Sequence, residues 1–308
     1  METAIYRLGA LRVASDFPLF GLPRSDDATN SEVVIRCAHI PDDVASTTAR
    51  FVGGEYSGTY NGREILIVSP HIGRFLVRAG EEILIDKAPS SDDENVRAYL
   101  VGAVFGVLCL QRGITPLHAS SVDVVDGCAV FVGPSGAGKS TLVAALSRRG
   151  HEIIGDDQCF LQLDNYGNVQ AWPGISRIRL REDARTALRF NDPAIEREMR
   201  GRNKYIIPVR APRNPIQARP LRGVYQLHRV ADGAAKLTRV QGADAVEVLM
   251  QNVYPPGAAA CLGYQPRVFN LCAAAARDLL VFRLSRPWSL HALEQGVELL
   301  ESHFLSIA

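Results

Sequence analysis

A chain of 308 residues is long enough for one large domain or two smaller ones, each with its own core. Apolar residues at 47% and charged residues at 22% exclude a disordered composition. A net charge of +1 supplies no field that would draw in nucleic acid or a membrane surface, so neither is expected as a partner.

The opening stretch, METAIYRLGALRVASD, is not a basic segment followed by an apolar core, so no secretory signal is read there. Residues 1–90 read as a β-rich N-terminal domain or extension. Segments 33–40 and 64–68 are rich in branched residues, and segments 74–78 and 82–86 flank Ala79-Gly80, a hairpin turn. The polar stretch 87–93 marks a boundary, and a second, larger domain is expected over 91–308. Asp92 is placed to cap a helix over 93–111, whose apolar stripe includes Val96, Leu100, Val104, Val107 and Leu108, with Gly113 as its stop. The longest apolar run, 98–110, is too short to span a bilayer.

From His118 the pattern changes to short apolar strands, 118–124 and 128–132, around the turn Asp126-Gly127. A glycine-rich loop follows, then a helix over 139–149, and a strand at Ile153-Ile154 that runs into Asp156-Asp157. A hairpin is expected over 160–172, strands over 223–230 and 235–240, helices over 243–254 and 266–276, a strand over 279–284 and a closing helix over 290–303. This alternation argues for an α/β core. Cys37, Cys109, Cys128, Cys159, Cys261 and Cys272 form no C-x-x-C pair and mostly lie in apolar runs. They read as free thiols in a reducing cytoplasm.

Gly133-Pro134-Ser135-Gly136-Ala137-Gly138-Lys139-Ser140 fits the pattern G-x-x-x-x-G-K-S/T. Glycines let backbone N–H groups close around phosphate, and the following helix points its positive end at the same place. Lys139 supplies a cation for the β- and γ-phosphates, and the Ser140 hydroxyl is a ligand for Mg²⁺. Thr141 completes the nucleotide-binding run. The expected cofactors are therefore ATP and Mg²⁺. Asp156 and Asp157 offer one carboxylate to the metal and one to the acceptor's proton. Asp157 is taken with Ser140 as the metal pair and Asp156 as the base; which acid faces the metal stays open at this stage.

The stretch LHASSVDVVDGCAVFVGPSGAGKSTLVAALSRRGHEIIGDD resembles the catalytic core of the bacterial HPr kinase/phosphorylase family. His118, the glycine-rich loop and Asp156-Asp157 fall in the family's order. The resemblance implies a P-loop core of the HPr kinase / phosphoenolpyruvate carboxykinase type and transfer of the ATP γ-phosphate to a serine hydroxyl. The flanking stretches VRAYLVGAVFGVLCLQRG, AWPGISRIRL, KYIIP, RPLRGVYQL and FRLSRPWSLHALEQGVELLESH resemble HPr-kinase-like proteins of lasso-peptide clusters. That implies a precursor peptide, modified at its C-terminal residue, as substrate and partner. The chain carries Thr141 where the HPr enzymes have an acidic residue. It lacks the glycine-rich signature of the phosphorylase reaction, so pyrophosphate use and HPr as substrate are not expected. A homo-oligomer is implied by the same resemblance.

Around this core, His118 is a candidate for ordering Asp156 or the γ-phosphate. Arg177 and Arg179 alternate with Ser176 and Ile178 and read as one cationic face for phosphate or a peptide carboxylate. Arg200, Arg202 and Lys204 form a basic cluster beside Gly201, and Arg202 and Lys204 are candidates for substrate contact. Trp172 and Trp288 are expected in the core. Two other functions fit the same motifs: a small-molecule kinase on this scaffold, and an ATP-binding regulator that transfers nothing.

Overall fold

The computed structural model describes residues 3–20, 22–25, 31–41, 49–53, 55–175, 177–192, 195, 204–207, 214, 216–278 and 280–307. The chain is mixed α/β and divides into two compact units. Met1–Pro116 and Val253–Leu271 make the first, and Leu117–Asn252 and Cys272–Ala308 the second.

The first unit is built on one mixed sheet. Its strands are β1 (Ala4–Leu8), β2 (Leu11–Ser15), β3 (Val33–Cys37), β4 (Ala49–Gly53), β5 (Tyr56–Tyr60), β6 (Glu64–Ser69), β7 (Gly73–Arg78) and β8 (Glu82–Lys87). They lie in the order β1-β2-β3-β8-β7-β6-β5-β4, with β2/β3 and β3/β8 parallel. The β7–β8 hairpin turns at Ala79 and Gly80, where the sequence places it, with both residues at positive φ (49° and 71°). Of the strands in this sheet, β1, β2, β4 and β5 carry no clear sequence signal.

Asp92 caps α1 (Asp93–Tyr99) by accepting the Asn95 N–H at 2.6 Å. The expected single helix is interrupted by a π turn at Leu100–Val104, where Gly102 leaves helical backbone (φ −92°, ψ −107°), before α2 (Phe105–Gln111). Val96, Leu100, Val104, Val107 and Leu108 are completely buried. That burial draws 93–111 into the first unit, which therefore runs past residue 90 to Pro116. The returning segment packs there too: a Cβ on Gly106 would come within 2.7 Å of Pro255 Cδ.

The short strand β9 (Thr115–Leu117) carries the chain into the second unit. There β10 (Ala119–Val124) and β11 (Gly127–Val132) form an antiparallel pair that turns at Asp126 (φ 57°). Then come α3 (Lys139–Arg148), β12 (Ile153–Gly155), β13 (Cys159–Leu163), β14 (Val169–Trp172), β15 (Ile178–Arg181), α4 (Glu182–Ala187) and β16 (Lys204–Ile207). They are followed by β17 (Arg219–Val230), β18 (Lys236–Val240) and α5 (Gly242–Met250). After α6 (Ala258–Cys261) in the returning segment, α7 (Gln265–Asp278) leads back to β19 (Leu280–Pro287) and α8 (Leu290–Ser306).

The centre of this second sheet is parallel. β11 pairs with β17 and β17 with β19, all running the same way, while β10, β12 and β14 join antiparallel. Leu142, Val143 and Leu146 of α3 and Leu293, Val297 and Leu300 of α8 pack with Phe131, Tyr225 and Leu284 of the strands in one buried cluster. Truncating any one of these leucines to alanine would cost about 2–5 kcal/mol. This core fixes α3, and with it the loop before α3, against the carboxyl end of β11. Among the described residues no helix is long and apolar enough to cross a membrane.

Candidate active site

The loop after β11 takes its shape from three glycines at positive φ: Gly133 (145°), Gly136 (82°) and Gly138 (86°). Gly138 is the N-cap of α3 in the left-handed region, a conformation that costs any L side chain. Among the described residues, the N–H groups of Gly136, Gly138, Lys139 and Ser140 have no acceptor in the protein. Consecutive unpaired N–H groups at a helix start form a concave cradle for an anion. Lys139 is buried, at 6% exposure, and its ammonium donates to the carbonyls of Gly133 (2.7 Å) and Pro134 (3.3 Å). Burial lowers its pKa to about 8, against the opposing pull of Asp156.

Two acids follow β12, and the fold separates their surroundings. Asp156 is 4% exposed. Its Oδ1 accepts from Ser140 Oγ at 3.0 Å and Ser120 Oγ at 2.5 Å, and its Oδ2 from the Arg179 N–H at 3.5 Å. Asp157 is more open, with its backbone at φ 69°, and its carboxylate is ion-paired with the Arg179 guanidinium. The turn that carries the two acids is tightly built. A Cβ on Gly155 or Gly174 would lie 2.9 or 2.4 Å from the Gln158 carbonyl oxygen.

His118 joins this turn. Its Nδ1 lies 3.0 Å from the Asp157 carbonyl oxygen. A carbonyl only accepts, so Nδ1 carries the proton and Nε2 is the acceptor. Burial, then the positive charge of Lys139, lowers its pKa to about 4, so the ring is neutral near pH 7. Asn252 supports both halves of the site. Its Oδ1 accepts the Gly133 N–H at 3.0 Å, its carbonyl accepts the His118 N–H at 2.7 Å, and its own Nδ2 donates to Val248 O at 2.7 Å.

The predicted residues thus come together in the second unit: Lys139, Ser140, Asp156, Asp157 and His118. Arg177 stands just before β15 and Arg179 within it, on either side of buried Ile178, and Arg179 reaches both acids. Lys204 on β16 adds positive charge felt at His118 and Lys139. Ser176, Arg200, Gly201 and Arg202 lie outside the described residues. The core placement of the two tryptophans is corrected: Trp172 on β14 is only partly buried, and Trp288 is not in the core. It is 48% exposed, because β19 ends beside Gly138 and delivers its last side chains to the loop instead of the sheet interior. Sequence reasoning also passed over Ser120, Gly174, Asn252 and Arg286. Ser120 had a signal, since it stands two residues after His118 in the strand expected over 118–124.

No family model matches the chain, and no curated protein matches it. Among solved structures, the HPr(Ser) kinase/phosphatase from Coxiella burnetii matches over 62% of this chain and 97% of its own, at 13% identity and a TM-score of 0.30. At that identity and score the match bears on neither the site nor its chemistry, which rest on the residues described above.

Proposed function

We propose that this protein is an ATP-dependent kinase that moves the γ-phosphoryl group of MgATP to a hydroxyl of a peptide. The observation that carries the reading is the Ser140–Asp156 hydrogen bond. It brings an acid from the far end of β12 onto the loop whose N–H groups are unpaired. Phosphate binding alone does not require that second element; a metal-bound triphosphate set for phosphoryl transfer uses it.

The residues take these roles. The loop N–H groups and Lys139 hold the β- and γ-phosphates. Ser140 and Asp156 would hold Mg²⁺, an order opposite to the first expectation, supported by their shared hydrogen bond. The donor set fits: Mg²⁺ takes hard oxygens, one or two carboxylates plus substrate phosphates. Among the described residues no group of three or more His, Cys, Asp and Glu offers a cage for a softer metal. Bound there, Mg²⁺ neutralises charge on the phosphate oxygens. Asp157 is the base. The acceptor oxygen bonds to the γ-phosphorus as the bond from that phosphorus to the bridging oxygen breaks. ADP leaves, and the hydroxyl proton passes to the Asp157 carboxylate. His118 holds the Asp157 backbone, and Ser120 holds Asp156.

Arg177, Arg179, Arg202 and Lys204 are assigned to the acceptor. Arg179 and Lys204 both raise the positive potential around His118, which suits an acceptor bearing a carboxylate, such as the C-terminal residue of a lasso-type precursor peptide. The fold type proposed with this function is the P-loop core of the HPr kinase / phosphoenolpyruvate carboxykinase kind, and a homo-oligomer belongs to the same proposal. The test is ADP formation from MgATP with and without a serine-ended peptide. Peptide-dependent turnover is expected for the wild type, with a loss of about 10²–10⁴-fold in Asp157→Asn and retained MgATP binding. Turnover driven by a small hydroxylated metabolite and not by peptide would mean a small-molecule kinase. Binding without turnover on any acceptor would mean a regulator.

A further inference from the structure

The carboxyl ends of three parallel strands meet at the glycine-rich loop. Val132 of β11 stands beside Gln226 of β17, which stands beside Arg283 of β19. Ligands of open α/β sheets bind at such ends. β17 finishes with Arg229 and Val230, β19 with Arg286 and Pro287 in register with them, and Trp288 follows.

Arg286 is an unusual side chain to find here. It is 7% exposed, yet among the described residues no carboxylate lies within ion-pair distance of it. Its one hydrogen bond there is a long one, Nη1 to the Pro287 carbonyl at 3.4 Å. A buried guanidinium without a counter-charge is costly, and burial holds its pKa below the ordinary value. The fold nevertheless makes room for it. Gly296 on α8 leaves space for the stem, since a Cβ there would lie 3.3 Å from Arg286 Cδ. The head reaches the loop, where a Cβ on Gly138 would meet Arg286 Nη2 and the Trp288 ring, each at 3.1 Å. Trp288 carries two guanidinium groups near its ring, Arg229 at 5.4 Å and Arg286 at 5.7 Å from the centroid.

We propose that Arg286 is a second cationic contact for the bound triphosphate, held by Trp288 and Gly296 at the Gly138 end of the loop. A guanidinium placed there donates forked hydrogen bonds to phosphate oxygens that Lys139, a single point charge, does not cover. The phosphate is then the missing counter-charge. The inference rests on reading Gly133–Ser140 as the triphosphate site.

The experiment is calorimetric titration of the full chain with MgATP and with magnesium tripolyphosphate, beside thermal unfolding without ligand. The proteins are wild type, Arg286→Gln, Arg286→Lys and Lys139→Ala. Arg286→Gln is expected to weaken both ligands by about 10- to 100-fold, the range of a charge-assisted hydrogen bond. Its ligand-free melting temperature stays equal or rises, because an uncompensated buried charge is gone. Arg286→Lys recovers part of the affinity. Unchanged affinity in Arg286→Gln, with affinity lost in Lys139→Ala, overturns this inference and leaves the triphosphate site standing. A loss of affinity that tracks a lower ligand-free melting temperature also overturns it, since Arg286 would then be structural. Failure of the wild type to bind either ligand overturns both.

Discussion

At the residue scale, His118 couples the acid turn to Asn252 and sits among cations. Its pKa is about 4 in the folded chain, against an ordinary value of 6.5, because burial and Lys139 disfavour the imidazolium. Between those values the unfolded chain takes up a proton that the native chain does not. The stability this residue contributes is therefore complete above about pH 6.5 and is lost as pH falls toward about 4. Urea unfolding at about pH 7.5 and about pH 5 checks this. The wild type should lose more stability on acidification than His118→Gln, and equal losses would refute the assignment. His118 was identifiable from its place in the LHASS stretch. Asn252 was not, because it lies 119 residues from the Gly133 N–H it accepts and carries no local pattern. Arg286 was hidden for the same reason: a lone arginine at a strand end reads as solvated until the register of β11, β17 and β19 puts it beside the loop.

At the scale of elements, signals that depend on neighbouring residues translated into structure. The Ala79-Gly80 and Asp126-Gly127 turns, the Asp92 cap and the β11–loop–α3 unit all follow from local backbone preference. The helix over 93–111 did not follow, since nothing in a continuous apolar run announces the π turn at Gly102. The close approach of Gly155 and Gly174 to Gln158 is likewise a pairing of distant segments. It sets the acid turn, so Gly174→Ala should push the Gln158 carbonyl and move Asp156 off Ser140. Because the clash is with backbone, we expect a stability loss of about 1–3 kcal/mol. Phosphoryl transfer should fall further than MgATP affinity does. Thermal unfolding together with separate kcat and Kd measurements tests it; equal losses in kcat and affinity would mean that the turn does not position the acids.

At the scale of the whole molecule, composition excluded disorder and a strongly charged surface, and the strand–loop–helix order placed the chain in the α/β class. The division into two units could not be read from it, because Val253–Leu271 returns to the first unit after 136 residues of the second, Leu117–Asn252. All six cysteines are free thiols, four of them buried, as their apolar surroundings suggest. The central step proposed for this protein is transfer of a phosphoryl group to a peptide hydroxyl. The most direct measurement is mass spectrometry of a serine-ended precursor peptide after incubation with this protein and MgATP, beside Lys139→Ala and Asp157→Asn. A peptide carrying one added phosphate is expected with the wild type, and unmodified peptide with both variants. An unmodified peptide from a wild type that binds MgATP, or equal phosphorylation by Asp157→Asn, would contradict that expectation.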